Sequence, residues 1–244
     1  MAFKVPRKET APSMDYLLDG LATALRLLAM GDAETFSAVW ITLAASGMSI
    51  AACLAIGAPL GFLIGYHDFP GRKAVRIAVD TALCFPTVVI GLLVYLLLSR
   101  QGPLGELGLL FTIPGMSIGL TLLGVPIVMA MTALAVEQAD ARLRLTLLTL
   151  GADGRQMLTA TLWETRYHLM LAGVAAFGRI VSEVGISMMV GGNIKWHTRT
   201  ITTAIALETG KGDYALGIAL GLVLLAIALL LNLMLAALRR RAGR

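Results

Sequence analysis

Long stretches of this chain carry no charged side chain. Residues 35–66, 81–99, 107–136 and 215–238 hold no Asp, Glu, Lys or Arg, and a helix that crosses a bilayer needs ~20 apolar residues. A fifth apolar stretch, Leu169 to Val190, is charged only at Arg179 and Glu183. The pattern predicts about five transmembrane helices. Pro114 and the glycines of "GLLFTIPGMS" assign the start of the third stretch to a loop. Residues 14–30 differ. Leu17, Leu18, Leu21, Leu25 and Leu28 share one helical face, and Asp15, Asp19, Ala22, Thr23 and Arg26 fill the rest. This predicts an amphipathic helix lying in the membrane interface. A sixth span there is the alternative.

Composition supports the pattern. Hydrophobic residues make up 57% of the 244, and charged residues 14%. A soluble domain rarely exceeds half apolar. The expected fold class is therefore all-α, a polytopic membrane helix bundle forming one domain over residues 1–244. The net charge of +5 reports topology, with lipid as the partner and no nucleic acid. With five spans, Arg72, Lys73, Arg76, Arg142, Arg144, Arg155, Arg166 and the tail arginines fall on one side, eleven basic residues against four opposite. That side is expected to be cytoplasmic. Lys4, Arg7, Lys8 and Arg26 would then lie outside, which keeps the six-span alternative open. Basic "MAFKVPRKET" is not followed by a short apolar core with a cleavage site, so no removable signal peptide is expected. Cys53 and Cys84 lie in apolar runs and read as packing residues. No C-x-x-C, H-E-x-x-H or Walker-type motif occurs in the sequence. Neither a cofactor nor an enzymatic activity is expected of this chain.

The predicted cytoplasmic segment, residues 137–168, is too long for a simple turn. Leu143, Leu147 and Leu150 share one face of a short helix; Gly151 and Gly154 punctuate it; Met157, Leu158, Leu162 and Trp163 begin a second helix. It is either a packed connector or a docking element presenting apolar knobs to a soluble partner.

The charges inside the fifth stretch carry the sharpest question. An arginine at a helix centre costs about 2.5–3.5 kcal/mol on insertion scales and so faces protein or water. Arg179 and Glu183 are i and i+4, neighbours on a helix face. Either they neutralise each other as a packing device, or Arg179 adds positive potential to an anion path that Glu183 orients. Small Ser182 and Gly185 fit close helix approach. Met188 and Met189 are either a constriction or core filler. In the following outer loop, Lys195, His197 and Arg199 either steer an anion at the mouth or belong to a solvated loop. Pro86 and Pro126 are candidate kinks. His67 and His168 read as interfacial.

The stretch "LTLLTLGADGRQMLTATLWE" resembles the coupling loop of ABC importer permeases, with Gly151 at the family glycine. It departs from the usual pattern at Leu145–Leu147 and at Leu162-Trp163. "GAPLGFLIGYHDFPGRK" and the F-x-R-x-x-x-E-x-G spacing from Phe177 to Gly185 extend the resemblance over most of the chain. They are similar to tungstate-type permeases, relatives of the molybdate and sulfate permeases. The resemblance implies the type I importer permease fold in a bacterial or archaeal cytoplasmic membrane. It further implies a homodimer, cytoplasmic ATP-binding subunits and an extracytoplasmic oxyanion-binding protein. Leu147, Gly151, Ala152, Asp153, Leu158 and Leu162 then become expected ATPase-coupling residues. Arg179, Ser182, Glu183, Gly185, Met188 and Met189 become expected pathway residues, and Lys195, His197 and Arg199 the outer mouth. The expected cargo is tungstate first, molybdate next and sulfate last, moved by alternating access. An ion-coupled secondary transporter is the alternative, and a membrane enzyme finds no paired acids, His cluster or nucleophile with a base at membrane depth.

Overall fold

The computed structural model describes residues 22–138 and 146–242, apart from residues 24, 28 and 148. Within this range the chain forms helices α1 (Ala33–Tyr66), α2 (Arg72–Leu83), α3 (Thr87–Leu98), α4 (Ile113–Glu137), α5 (Gly154–Val181), α6 (Gly185–Gly191), α7 (Ile201–Lys211) and α8 (Tyr214–Ala242). Three helices are each long and apolar enough to cross a membrane: α1, α4 and α8. The pairs α2–α3 and α5–α6 bend by 96° and 63° at short breaks, and counting each pair as one span gives five. The fold is an all-helical, multi-pass bundle. Of the predicted interfacial helix, residues 14–21 lie outside the described residues; residues 22–23, 25–27 and 29–30 are helical, and Leu25 and Met30 are exposed.

Helices α1 and α4 form the spine. They run in the same direction, because Ala45 meets Ser117, Cys53 meets Thr121, and Gly65 meets Ala133. The reason lies in the sequence of α1: Ala45, Ser49, Cys53, Gly57, Gly61 and Gly65 place a small residue every fourth position. Stripes of this kind let helix backbones approach without bulk between them. At Gly61 a Cβ would sit 2.5 Å from the Met129 carbonyl oxygen, and at Gly65 2.6 Å from that of Ala133. Further along, Ser117 Oγ donates to the Ala45 carbonyl (3.1 Å) and Ser49 Oγ to the Ser117 carbonyl (3.2 Å).

The second predicted span is not straight. The chain breaks at residues 84–86, and Pro86 N-caps α3. Proline offers no N–H to the preceding turn, and its ring disfavours helical geometry at Phe85. The α2 segment is itself amphipathic: Arg72, Lys73, Arg76 and Asp80 cluster on one side, and Val79, one turn beyond Arg76, packs against Ile64 and Ala133. Pro126, by contrast, is accommodated inside α4, and Thr112 caps that helix by accepting from Gly115 N (3.1 Å).

Ion pairs identify which segments share an end of the bundle. At one end Arg72 and Arg76 both reach Glu137 (2.9 and 3.0 Å), joining the start of α2 to the end of α4. Arg72 also donates to the last carbonyls of α1, Ile64 (2.7 Å) and Gly65 (3.1 Å). At the other end Lys195 and Arg199 both reach Glu34, at the start of α1, at 2.6 Å each. The Lys/Arg distribution makes the first end the inner one and the second the outer one.

Candidate functional site: one helix with a docking turn and a hinge

Helix α5 carries both candidate regions, one at each end. Its inner end begins in the predicted coupling segment. Leu150 N bonds to the Thr146 carbonyl (3.0 Å), and Ala152 N reaches back to that of Leu147 (2.9 Å). Between them Gly151 adopts φ +74°. This is the pattern of a helix closed by a left-handed glycine, a conformation that costs any residue with a Cβ. Asp153 then caps α5: its carboxylate accepts from Gln156 N (2.8 Å), and the Gln156 side chain accepts from Asp153 N (2.9 Å). The result is a helix, a tight turn and a capped helix.

The surroundings of this turn are open. Among the described residues, no atom beyond its chain neighbours lies within 4 Å of a Cβ built on Gly151. Leu150 is 77% exposed, and Leu147 is half-buried. Arg142, Leu143 and Arg144 lie outside the described residues. Residues 154–168 are the first turns of the 28-residue helix α5, so a push on the turn acts on a rigid rod. Leu158 and Leu162 are partly exposed on that rod. Leu162 lines an apolar groove between α5 and α8.

The outer end of α5 holds the charged pair. A helix was expected to continue through Arg179 and Glu183; instead α5 ends at Val181, Ser182 is its C-cap and the chain turns into α6. Glu183 makes this break. Its Oε1 accepts from Gly185 N (3.0 Å) and Ile186 N (3.4 Å), satisfying the start of α6. Its Oε2 receives Arg179 Nη1 at 2.8 Å. Its carbonyl accepts from Thr202 Oγ1 of α7 at 2.9 Å. The Glu183 side chain is 4% exposed and that of Arg179 41%. Thus the carboxylate is a buried structural cap and the guanidinium is the open member. Arg179 also stands deep. Its neighbour Ile180 packs on Gly124 and Cys53 near the middle of the spine.

The other expected pathway residues divide. Ser182 is exposed and donates to the Arg179 carbonyl (3.0 Å). Met188 is exposed, whereas Met189 packs against Gly91 of α3. Gly185 is tight against Glu183 and Val88. At the outer mouth, His197 is exposed. Lys195 and Arg199 are spoken for by Glu34, and Arg199 also lies 3.6 Å from Glu208, which Lys211 reaches at 2.9 Å. Arg199 is buried with its Nε unpartnered. Here the acidic partner stands 165 residues away in sequence, so spacing gave no hint of it.

This outer network extends to the hinge. Thr200 and Thr203 form the capping box of α7, and Thr42 of α1 accepts from Ile201 N at 2.8 Å. Through Thr202, α7 holds Glu183. The N-terminus of α1, α7 and the α5–α6 break therefore form one hydrogen-bonded block. Among the described residues, no group of His, Cys, Asp and Glu is arranged to hold a metal ion.

Residues 57–244 match the family described as "Binding-protein-dependent transport system inner membrane component". The chain is 45% identical over 219 residues to the tungstate uptake system permease protein TupB of Campylobacter jejuni, covering 90% of this chain and 92% of the relative. Identity to the protein of the same description from Peptoclostridium acidaminophilum is 36%, over 90% of this chain and 96% of that one. In the crystal structure of a bacterial alginate ABC transporter in complex with alginate pentasaccharide-bound periplasmic protein, one chain superposes with a TM-score of 0.71. The match covers 93% of this chain and 88% of that one at 21% identity, a likeness of fold.

Proposed function

Because the chain belongs to the family of binding-protein-dependent transport system inner membrane components, we propose that it is the permease subunit of an ATP-driven ABC importer for a tetrahedral oxyanion, tungstate first, molybdate next and sulfate last. The relatives named for tungstate uptake support that order. The observation that carries an anion path is Arg179: a guanidinium at mid-depth, oriented by a buried carboxylate and still 41% exposed. A cation placed so deep is retained for a reason other than packing.

Two copies of the chain face each other across the path, each presenting Arg179 to a dianion. Separate cytoplasmic ATP-binding subunits engage the turn around Leu147, Gly151, Ala152 and Asp153. An extracytoplasmic binding protein delivers the oxyanion at the outer end. ATPase closure moves the inner half of α5, and the break at residues 182–184 lets that half tilt against the outer block. Alternating access results, with ATP hydrolysis in the partner subunits.

Uptake tests the reading. Proteoliposomes containing the permease, its ATP-binding subunit and its binding protein should accumulate radiolabelled tungstate only with ATP. Excess molybdate should compete partly and sulfate weakly. Ion-gradient-driven uptake without ATP would establish the secondary-transporter alternative instead.

A further inference from the structure

The inner leaflet side of the bundle carries a groove that the transport reading does not use. Helices α1, α5 and α8 leave it open, and Leu54, Leu169, Met170, Phe177, Leu231 and Met234 line it almost without polar surface. At its inner mouth stands Arg166. The guanidinium lies 4.2 Å from the Trp163 ring and 4.4 Å from the Tyr167 ring, and it donates to the Trp163 carbonyl. Among the described residues it has no carboxylate within ion-pair distance. Arg179 is thirteen residues further along the same helix, ~20 Å deeper, so the two arginines serve different levels of the membrane.

Three features of this mouth belong together. Trp and Tyr concentrate at the headgroup level of membranes. A long basic side chain there keeps its charge in the headgroup layer while its stem follows apolar surface. On the facing wall, Ala237 and Leu238 of α8 line the groove, and exposed Arg239 and Arg240 follow directly. Both walls thus end in arginine where the apolar lining stops. An apolar slot with cations at the headgroup end is complementary to one class of molecule, with two acyl chains below and a phosphate above.

We propose that this groove is a binding site for an anionic phospholipid of the inner leaflet. Acyl chains lie between α5 and α8, and the phosphate is held by Arg166, with the aromatic pair fixing the guanidinium. The arrangement is a built one. Arg166 is half-buried and lies against two aromatic rings, unlike Lys73 at the same end of the bundle, which is exposed and lies over no ring among the described residues.

Brominated lipids provide the test, because bromine on an acyl chain quenches a nearby indole. A variant of the full chain with Trp40→Phe and Trp196→Phe leaves Trp163 as the only tryptophan. It would be reconstituted in phosphatidylcholine containing increasing fractions of either brominated phosphatidylglycerol or brominated phosphatidylcholine. The anionic lipid should quench Trp163 with about fivefold higher affinity, since a basic residue at the surface contributes ~1 kcal/mol towards anionic lipid. Arg166→Gln should remove most of that preference and leave quenching by phosphatidylcholine unchanged. Lys73→Gln should keep the preference intact. Equal quenching by the two lipids in the parent would overturn the proposal, as would a preference that survives Arg166→Gln. Absence of quenching by either lipid would also overturn it, showing that protein covers the groove, whether a second copy or the N-terminal segment of this chain.

Discussion

The two ends of the bundle hold charge in opposite ways. At the outer end Glu34, Arg199 and Glu208 are largely withdrawn from solvent, and threonines of α7 tie the same region to α1 and to the α5–α6 break. At the inner end Arg72, Arg76 and Glu137 keep a quarter to a third of their side-chain surface exposed, and a Cβ on Gly151 would meet none of the described residues beyond its chain neighbours. Buried charges lose heavily when a partner is removed, while exposed pairs contribute little. The comparison assigns rigidity to the outer end and accessibility to the inner one. A permease driven from one side has use for both.

The largest effect should come from breaking the outer network. Arg199→Met removes the buried cation that Glu34 and Glu208 share and leaves each with a single, more exposed lysine, Lys195 and Lys211; removal of one partner from a buried pair costs up to about 3–5 kcal/mol. A large fall in thermal unfolding midpoint in detergent is expected. Arg76→Met at the inner end should cost no more than ~1 kcal/mol. Equal losses at the two ends would remove the contrast.

Next in size is the spine between the ends. Gly61→Leu would drive a side chain into the Met129 backbone, where even a Cβ is 2.5 Å from the carbonyl oxygen. Overpacking of this kind costs about 1–3 kcal/mol or more. Lower yield and lower thermal stability are expected, and a stable, active Gly61→Leu protein would show that α1 and α4 are not in close contact.

The hinge pair should show coupling. Glu183→Gln leaves Arg179 unpaired, Arg179→Gln leaves a buried carboxylate, and the double change should recover part of the stability lost, with a coupling of about 0.5–3 kcal/mol. Uptake should stay low in every variant lacking Arg179. Additive stability losses would mean that the two residues act independently.

A local effect on stability, and a large one on coupling, belongs to the docking turn. Gly151→Val forces a β-branched residue to φ +74°, a local strain of about 1–3 kcal/mol, with no clash against the described residues. Insertion should be retained and the thermal midpoint should fall only by what that strain costs, while co-purification with the ATP-binding subunit and ATP-dependent uptake fall away. Normal coupling in this variant would exclude the turn as the docking site.

Much of this could be read along the chain, but only where the information is local. Uncharged runs marked α1, α4 and α8, because crossing a bilayer demands continuous apolar length. Gly151 was legible as a turn, since glycine between two helical patterns has few other uses. The Arg179–Glu183 contact followed from i, i+4 spacing. The break did not, because that spacing is the same whether the helix continues or stops; the side-chain cap on α6 and the bond from Thr202 of α7 to the Glu183 carbonyl appear only in the folded chain. Lys195 and Arg199 read as a positive patch because Glu34 is remote in sequence and adjacent only in space. The 96° bend at residues 84–86 was half legible in Pro86, but the polar face of α2 that follows from it was hidden in a loop reading. The small-residue stripe from Ala45 to Gly65 was fully present in the sequence as a period of four, and the apolar run around it masked it.

Electron–electron distance measurement tests the central claim most directly. In a background with Cys53→Ala and Cys84→Ser, one pair of spin labels would sit at positions 134 and 158, on the inner parts of α4 and α5. A second pair would sit at positions 104 and 188, at the outer end. The assembled importer would be compared without nucleotide and with ATP trapped. The inner pair should change separation by several ångströms while the outer pair stays fixed. Movement confined to the outer pair, or no change in either while transport proceeds, would contradict a hinge at residues 182–184.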